Sequence, residues 1–201
     1  MDINNQSTTE IVRRFKIGAS AFLMGSALFL SSQSAPTPAI AQTLPTAFES
    51  AVVLTRAEAT YDAVQAYPSA YQFTVQVPEA AKQPLSRLTI IAPDNYGAFG
   101  VNMPRKEIIT AFIPTDPEAK NYQYPQRKIP AQASVDGRTI TIDFPEPISP
   151  QQAVTVEFPY MRNPDKAGTY LFEVHAAPAG ANPINQFIGF GRLVIRENHH
   201  T

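Results

Sequence analysis

Cysteine and tryptophan are both missing from this 201-residue chain, and glycine, at 9, is scarce beside 19 prolines. The lack of cysteine excludes disulfides, thiolate zinc sites, iron–sulfur clusters, a cysteine nucleophile and a lipidated N-terminal cysteine. No excess of one charge exists either, since 16 Lys+Arg against 17 Asp+Glu leave a formal charge of -1. Binders of nucleic acid carry a clustered basic surplus, so that class of partner is excluded. Hydrophobic residues make up 44% of the chain, too many for one that stays unfolded. The length suits one domain with a real core and is short for two.

What is present starts with a leader. Arg13, Arg14 and Lys16 form a basic patch, residues 17–30 carry no charge, and a polar stretch with proline ends in Ala39-Ile40-Ala41 before Gln42. That basic, apolar, small-residue order belongs to a secretory signal peptide, so residues 1–41 are expected to be cut off after Ala41. The uncharged run of 14 residues is short of the roughly 20 that cross a bilayer as a helix, which makes an uncleaved anchor the weaker reading. Phe15-Lys16 after Arg13-Arg14 breaks the twin-arginine export pattern and favours the general secretory route. No later stretch is suited to spanning a membrane. The exported chain is expected to be soluble and periplasmic, with the thylakoid lumen and the outside of the cell as other destinations. Without Arg13, Arg14, Lys16, Asp2 and Glu10, the 16 basic and 17 acidic residues become 13 and 15.

Residues 42–201 read as a single domain with a frayed tail at 196–201. Seventeen of the 19 prolines lie there, a density hostile to long helices and tolerable at strand ends. Alternation of apolar and polar residues recurs, most clearly in Tyr71-Gln72-Phe73-Thr74-Val75-Gln76-Val77, stopped by Pro78. Further strands are expected at 87–91, 107–113, 153–158, 169–176 and 187–195. Asp136-Gly137 between Ala133-Ser134-Val135 and residues 138–144 is a hairpin signal, because the turn needs positive φ. Helical turns are expected at Glu79-Ala80-Ala81-Lys82 and within 55–66. Seven or eight short strands with almost no helix predict an all-β fold, a single antiparallel β-sandwich. Residues 114–130 lack an apolar period and read as a long loop of the kind that often carries function.

The C-terminal third has a recognisable order. Phe144-Pro145-Glu146-Pro147-Ile148-Ser149-Pro150 is followed by Arg162-Asn163-Pro164 and Tyr170-Leu171-Phe172. Pro178-Ala179-Gly180 and Gly189-Phe190-Gly191-Arg192 come next. Together with Ala70-Tyr71-Gln72-Phe73-Thr74-Val75 and Val77-Pro78, this order resembles a cyanobacterial family of exported proteins classed as a domain of unknown function. The resemblance covers nearly all of 48–195. It departs at Lys82 and at Glu173, where that family commonly has glycine. It implies a compartment and a lineage and transfers no catalytic residue. On the residues alone, Pro147 and Pro150 bracket a crossover between strands. Gly189 and Gly191 mark a bulge or the close approach of another backbone.

Candidate chemistry is thin. Of the three histidines, His199 and His200 sit at the terminus, and His175 stands two residues from Glu173. On a strand those two share a face, a weak polar pair that could serve as acid and base or as half a metal site. No further ligand has suitable spacing, so a surface histidine is the plainer reading, and no catalytic residue, metal or cofactor is expected. There is no Gly-x-Ser-x-Gly elbow, no phosphate loop, and no calcium loop around Asp94-Asn95 or Asp116 and Glu118. Gly189-Phe190-Gly191-Arg192 superficially matches an RNA-binding strand. However, Ile188 stands where a basic residue is needed and Arg192 where a stacking aromatic is needed.

Surface recognition remains. Tyr122, Tyr124, Arg127 and Lys128 in the long loop form a candidate interaction surface, and Tyr96 beside Gly97 is another exposed-ring candidate. The leading expectation is a non-enzymatic cell-envelope protein that binds a protein or polysaccharide partner. A carbohydrate or exopolysaccharide-binding module is the alternative. A hydrolase with carboxylates brought together only in space is a minor third. Exposed tyrosines in a groove would favour sugar, and an apolar surface patch would favour protein.

Overall fold

The computed structural model describes residues 44–95, 101–115 and 126–197. The expected leader, Tyr96, Tyr122, Tyr124, His199 and His200 therefore lie outside the described residues.

Alternating residues bounded by proline form strands as the sequence leads one to expect. They are β1 (Val53–Ala59), β2 (Ser69–Gln76), β3 (Leu85–Ile91), β4 (Thr110–Pro114) and β5 (Gln126–Ile129). β6 (Gln132–Asp136), β7 (Thr139–Ile148), β8 (Ala153–Met161), β9 (Gly168–Pro178) and β10 (Gln186–Ile195) follow. Helix among the described residues is confined to two 3-10 turns, Glu79–Ala81 and Lys106–Ile108. The first sheet runs β1-β2-β8-β4-β5 and the second β10-β9-β3-β7-β6, with every pairing antiparallel.

Both sheets contribute to one core. Phe73 and Val75 from β2 and Phe158 from β8 join Leu88, Ile90, Ile140, Ile142, Phe172 and Val174 of the second sheet in a single buried cluster. The rings of Phe73 and Phe172 are 5.2 Å apart across the two sheets, and Tyr71 meets Phe172 edge-on at 6.2 Å. Each such side chain contributes about 1.5–3 kcal/mol when fully buried, which lets a cysteine-free domain stand on packing alone. The result is a sandwich-like, all-β arrangement.

Four details differ from the sequence reading. Residues 55–59, expected within a helical turn, belong to β1, because pairing with β2 from Leu54↔Val75 to Ala59↔Tyr71 outweighs the helix preference of Ala, Glu and Arg. The loop expected to reach residue 130 ends earlier, in β5, which pairs Ala111↔Ile129 through Pro114↔Gln126. The strand expected from residue 107 starts at Thr110, after a 3-10 turn. Strands among the described residues number ten rather than seven or eight.

Other readings hold. Gly137 has φ 53 in the β6–β7 turn, and the chain crosses from the second sheet to the first between Ile148 and Ala153. Lys82, one of the two departures from the family pattern, has φ 60, a conformation that glycine adopts at less cost.

Candidate functional site

The second sheet turns one face to the core and the other outward. Outward on β9 stand Leu171, Glu173 and His175, alternating with buried Tyr170, Phe172 and Val174. On β10 a regular strand would send Phe187 and Phe190 to opposite faces, since they are three apart. A register shift corrects the parity: Phe187 lies opposite His175 and Gly189 opposite Val174, leaving Ile188 as the extra residue. Gly189 carries the bulge at φ 136, which a side-chain-bearing residue rarely adopts. Phe187 and Phe190 consequently stand side by side on the outer face, ring centroids 5.1 Å apart and edge to face. They are 51% and 55% exposed.

The Glu173–His175 pair is brought together as the spacing implied. His175 Nε2 donates to Glu173 Oε1 at 2.7 Å, and the imidazole meets Phe187 edge-on with centroids 5.5 Å apart. The carboxylate fixes the histidine ring, and that ring backs Phe187. A cavity of about 330 Å3 next to them is lined by Ile91, Asp94, Arg138, Leu171, Glu173 and Phe190. Arg138 donates to the Ala92 carbonyl at 3.0 Å and pairs with Asp94. Leu171 and Val194, at 42% and 47% exposure, extend the apolar surface around Arg192, which lies opposite Leu171.

Beneath this face the inner side of β10 is closed. A Cβ on Gly191 would come within 2.7 Å of Phe73 Cε1 and 3.0 Å of Ala57 Cβ, so the two sheets approach too tightly there for any side chain. Gly189 is the bulge expected from sequence, whereas at Gly191 the side chains of Phe73 and Ala57, rather than another backbone, make the close approach. Burial pushes the Tyr71 hydroxyl above its ordinary 10.0, with Tyr170 adding to the rise. Tyr170 is raised by burial and by Asp165, and its hydroxyl donates to the Lys166 carbonyl at 2.8 Å.

The other candidate surface separates from this one. Arg127 and Lys128 are exposed on β5, at the edge of the first sheet, and are not joined to the Glu173–His175 pair. Their companions Tyr122 and Tyr124 fall outside the described residues. Phe187 is not among the site residues that the sequence suggests, and Leu171 and Phe190 enter there only within the motifs Tyr170-Leu171-Phe172 and Gly189-Phe190-Gly191-Arg192. Gly189 was the signal, because a glycine inside an alternating strand can reset which residues share a face. Among the described residues no three His, Asp or Glu side chains gather as metal ligands, and no helix is long and apolar enough to cross a membrane.

The fold and this face define an all-β, two-sheet domain with an exposed aromatic patch beside a carboxylate–imidazole pair. The chain belongs to the family described as "Protein of unknown function (DUF2808)", matched over residues 45–195. No curated protein matches it in sequence. Among solved structures it is similar to BslA, a bacterial hydrophobin, at 11% identity and TM-score 0.38, over 73% of this chain and 92% of that one. A DUF4466 family protein from Parabacteroides merdae is similar at 13% identity and TM-score 0.40, over 75% of this chain and 46% of that one. A structure of manganese lipoxygenase of Gaeumannomyces graminis with part of zonadhesin of Komagataella pastoris is similar at 10% identity and TM-score 0.40. It covers 69% of this chain and 48% of that one. These distant likenesses assign no function.

Proposed function

We propose that this is a secreted, non-enzymatic protein of the cell envelope, of cyanobacterial lineage, built as a single antiparallel β-sandwich that docks a protein partner on the Phe187–Phe190 face. The leader order at residues 1–41 supports export to the periplasm with cleavage after Ala41. The observation that carries the docking reading is the bulge at Gly189, which sets two phenylalanine rings on the solvent side of an otherwise regular strand. Leaving about half of each ring wet forgoes about 2 kcal/mol per ring at about 25 cal/mol per Å2, a cost that a partner recovers on docking. Arg192 beside Leu171 supplies a charged rim to such an apolar centre.

The test places a photo-crosslinking amino acid at Phe190 and, separately, at Thr141 on the polar part of the same face, in cells that make the full chain. The reading expects one discrete heterologous protein, identified by mass, from position 190 and not from 141. Equal crosslinking from both positions, or a product of two copies of this chain, would overturn it. N-terminal sequencing of the chain in the periplasmic fraction is expected to begin at Gln42, and retention in the cytoplasm from Met1 would contradict export.

A further inference from the structure

We infer that the loop 60–68, between β1 and β2, is a second binding site, for a neutral glycan, built on rings other than Phe187 and Phe190. Tyr61 and Tyr67 are 62% and 63% exposed, and both line one cavity of about 450 Å3 with Thr60, Asp62, Ala66 and Pro68. A neighbouring cavity of about 380 Å3 shares Thr60 and Asp62 and runs past Glu58 and Arg196 to Arg192 and Val194, at the margin of the Phe187–Phe190 face. Each volume falls in the range of about 300–1,000 Å3 usual for small-molecule sites.

Loops that carry large exposed rings ordinarily pay to order them on binding, and this one is already tied down. Asn163 is 2% exposed and donates from Nδ2 to the carbonyls of Tyr61 and Ala63, each at 2.7 Å. Its backbone N–H donates to the Ala66 carbonyl at 3.0 Å. The Ser69 hydroxyl donates to the Tyr61 carbonyl at 3.1 Å. From the far side Arg196 pairs with Asp62, and the Val64 N–H donates to the Arg196 carbonyl at 2.8 Å. The Arg162-Asn163-Pro164 motif therefore acts from behind, holding the backbone that presents both tyrosines.

The lining selects the ligand class. A pyranose offers a C–H face that packs on an aromatic ring and a rim of hydroxyls that need both donors and acceptors, and tyrosine combines an apolar body with a polar tip. Two such rings give two platforms. Asp62 accepts from sugar hydroxyls, and Thr60 both donates and accepts. Asp62 is the charged residue lining the tyrosine cavity and is paired with Arg196, and in the neighbouring cavity Glu58 and Asp62 are matched by Arg192 and Arg196. With no net positive charge to recruit an anionic sugar, the lining suits a neutral one. Apart from the two rings, the apolar part of the lining is Ala63, Ala66 and Pro68, too small to make the deep pocket that anchors a peptide side chain.

The probes are a neutral β-linked glucan hexasaccharide and an oligogalacturonate of the same length, titrated calorimetrically against the full chain. The neutral oligomer is expected to bind with a dissociation constant below about 1 mM, equivalent to about 4.1 kcal/mol. Tyr61→Ala and Tyr67→Ala should each weaken it about tenfold, while Tyr61→Phe keeps most of the affinity because the ring remains. Phe187→Ser should leave it unchanged, so this site and the docking face can fail separately. Unfolding curves check that each variant is folded, and the two alanine variants test the site independently. Binding of neither oligomer, binding of the acidic one alone, or affinity indifferent to both tyrosines would overturn the inference.

Discussion

The two halves of the second sheet's outer face are built on the same backbone and differ in what they show to water. Toward β7 and β6 the cross-strand rows end in Thr89, Thr141 and Ser134, or in Thr139 and Asp136, with Arg87 bound to Asp143 at 2.6 Å. Toward β9 and β10 the same rows end in His175 and Phe187, and in Glu173 and Phe190. The threonine half is what a solvated sheet needs, since hydroxyls satisfy water and branched side chains suit the pleat. The phenylalanine half goes against that economy. A regular strand would have turned Phe187 toward the inner side, and one bulge turned it out instead. The difference teaches that the aromatic half owes its exposure to a specific backbone device, whereas the polar half needs none.

The comparison can be broken most forcefully from beneath. Gly191→Val places its side chain against Phe73 and Ala57, and the expected cost is about 3 kcal/mol in a guanidinium unfolding curve. An unchanged midpoint would show that the two sheets are not in close contact there. Gly189→Val strains a backbone at φ 136, with an expected loss of about 1–3 kcal/mol. Because it penalises the bulge, it should also abolish crosslinking from position 190, a readout that Gly191→Val does not share if that variant is folded.

Alkaline pH probes Tyr71, packed against Phe172 directly under β9. The folded chain keeps the Tyr71 proton to higher pH than the unfolded chain does, so this stabilisation is whole below the ordinary value of 10.0 and is lost as pH rises beyond it. The slope should reach up to about 1.4 kcal/mol per pH unit for that group. Tyr71→Phe should flatten the slope. It should also cost less than about 1 kcal/mol at neutral pH, since the hydroxyl has no hydrogen-bond partner among the described residues. The smallest effect belongs to the polar half of the surface. Phe187→Ser and Phe190→Ser should each cost about 1–2 kcal/mol, from the buried half of the ring and the edge-to-face pair. Thr141→Ala should move stability by no more than about 0.5 kcal/mol, while only the two phenylalanine changes affect partner crosslinking. A Thr141→Ala variant that lost the partner would erase the distinction between the halves.

Strand after strand was legible because alternation and proline announce half-buried, interrupted β-structure. β1 was not, since Arg56, Ala57, Glu58 and Ala59 favour helix locally and only the partner β2 decides otherwise. β5 was hidden for a related reason, because Gln126-Arg127-Lys128-Ile129 has no apolar rhythm and owes its conformation to β4. At the site, Glu173 and His175 could be paired from spacing of two, which survives in any regular strand. Phe187 and Phe190 could not, because spacing of three on a strand ordinarily means opposite faces. Nor could Asn163 be seen as the support of loop 60–68, since the contacts span about a hundred residues of sequence.

The central claim is that both phenylalanines face outward to be covered by a partner. Hydroxyl-radical footprinting of the full chain, alone and in an envelope suspension, reads both parts of it at once. The account predicts ready oxidation of Phe187 and Phe190 in the isolated chain and strong protection of both in the suspension, with Tyr160, 62% exposed, oxidised equally in the two. Phe187 protected in the isolated chain, or both rings oxidised equally in the two preparations, would contradict it.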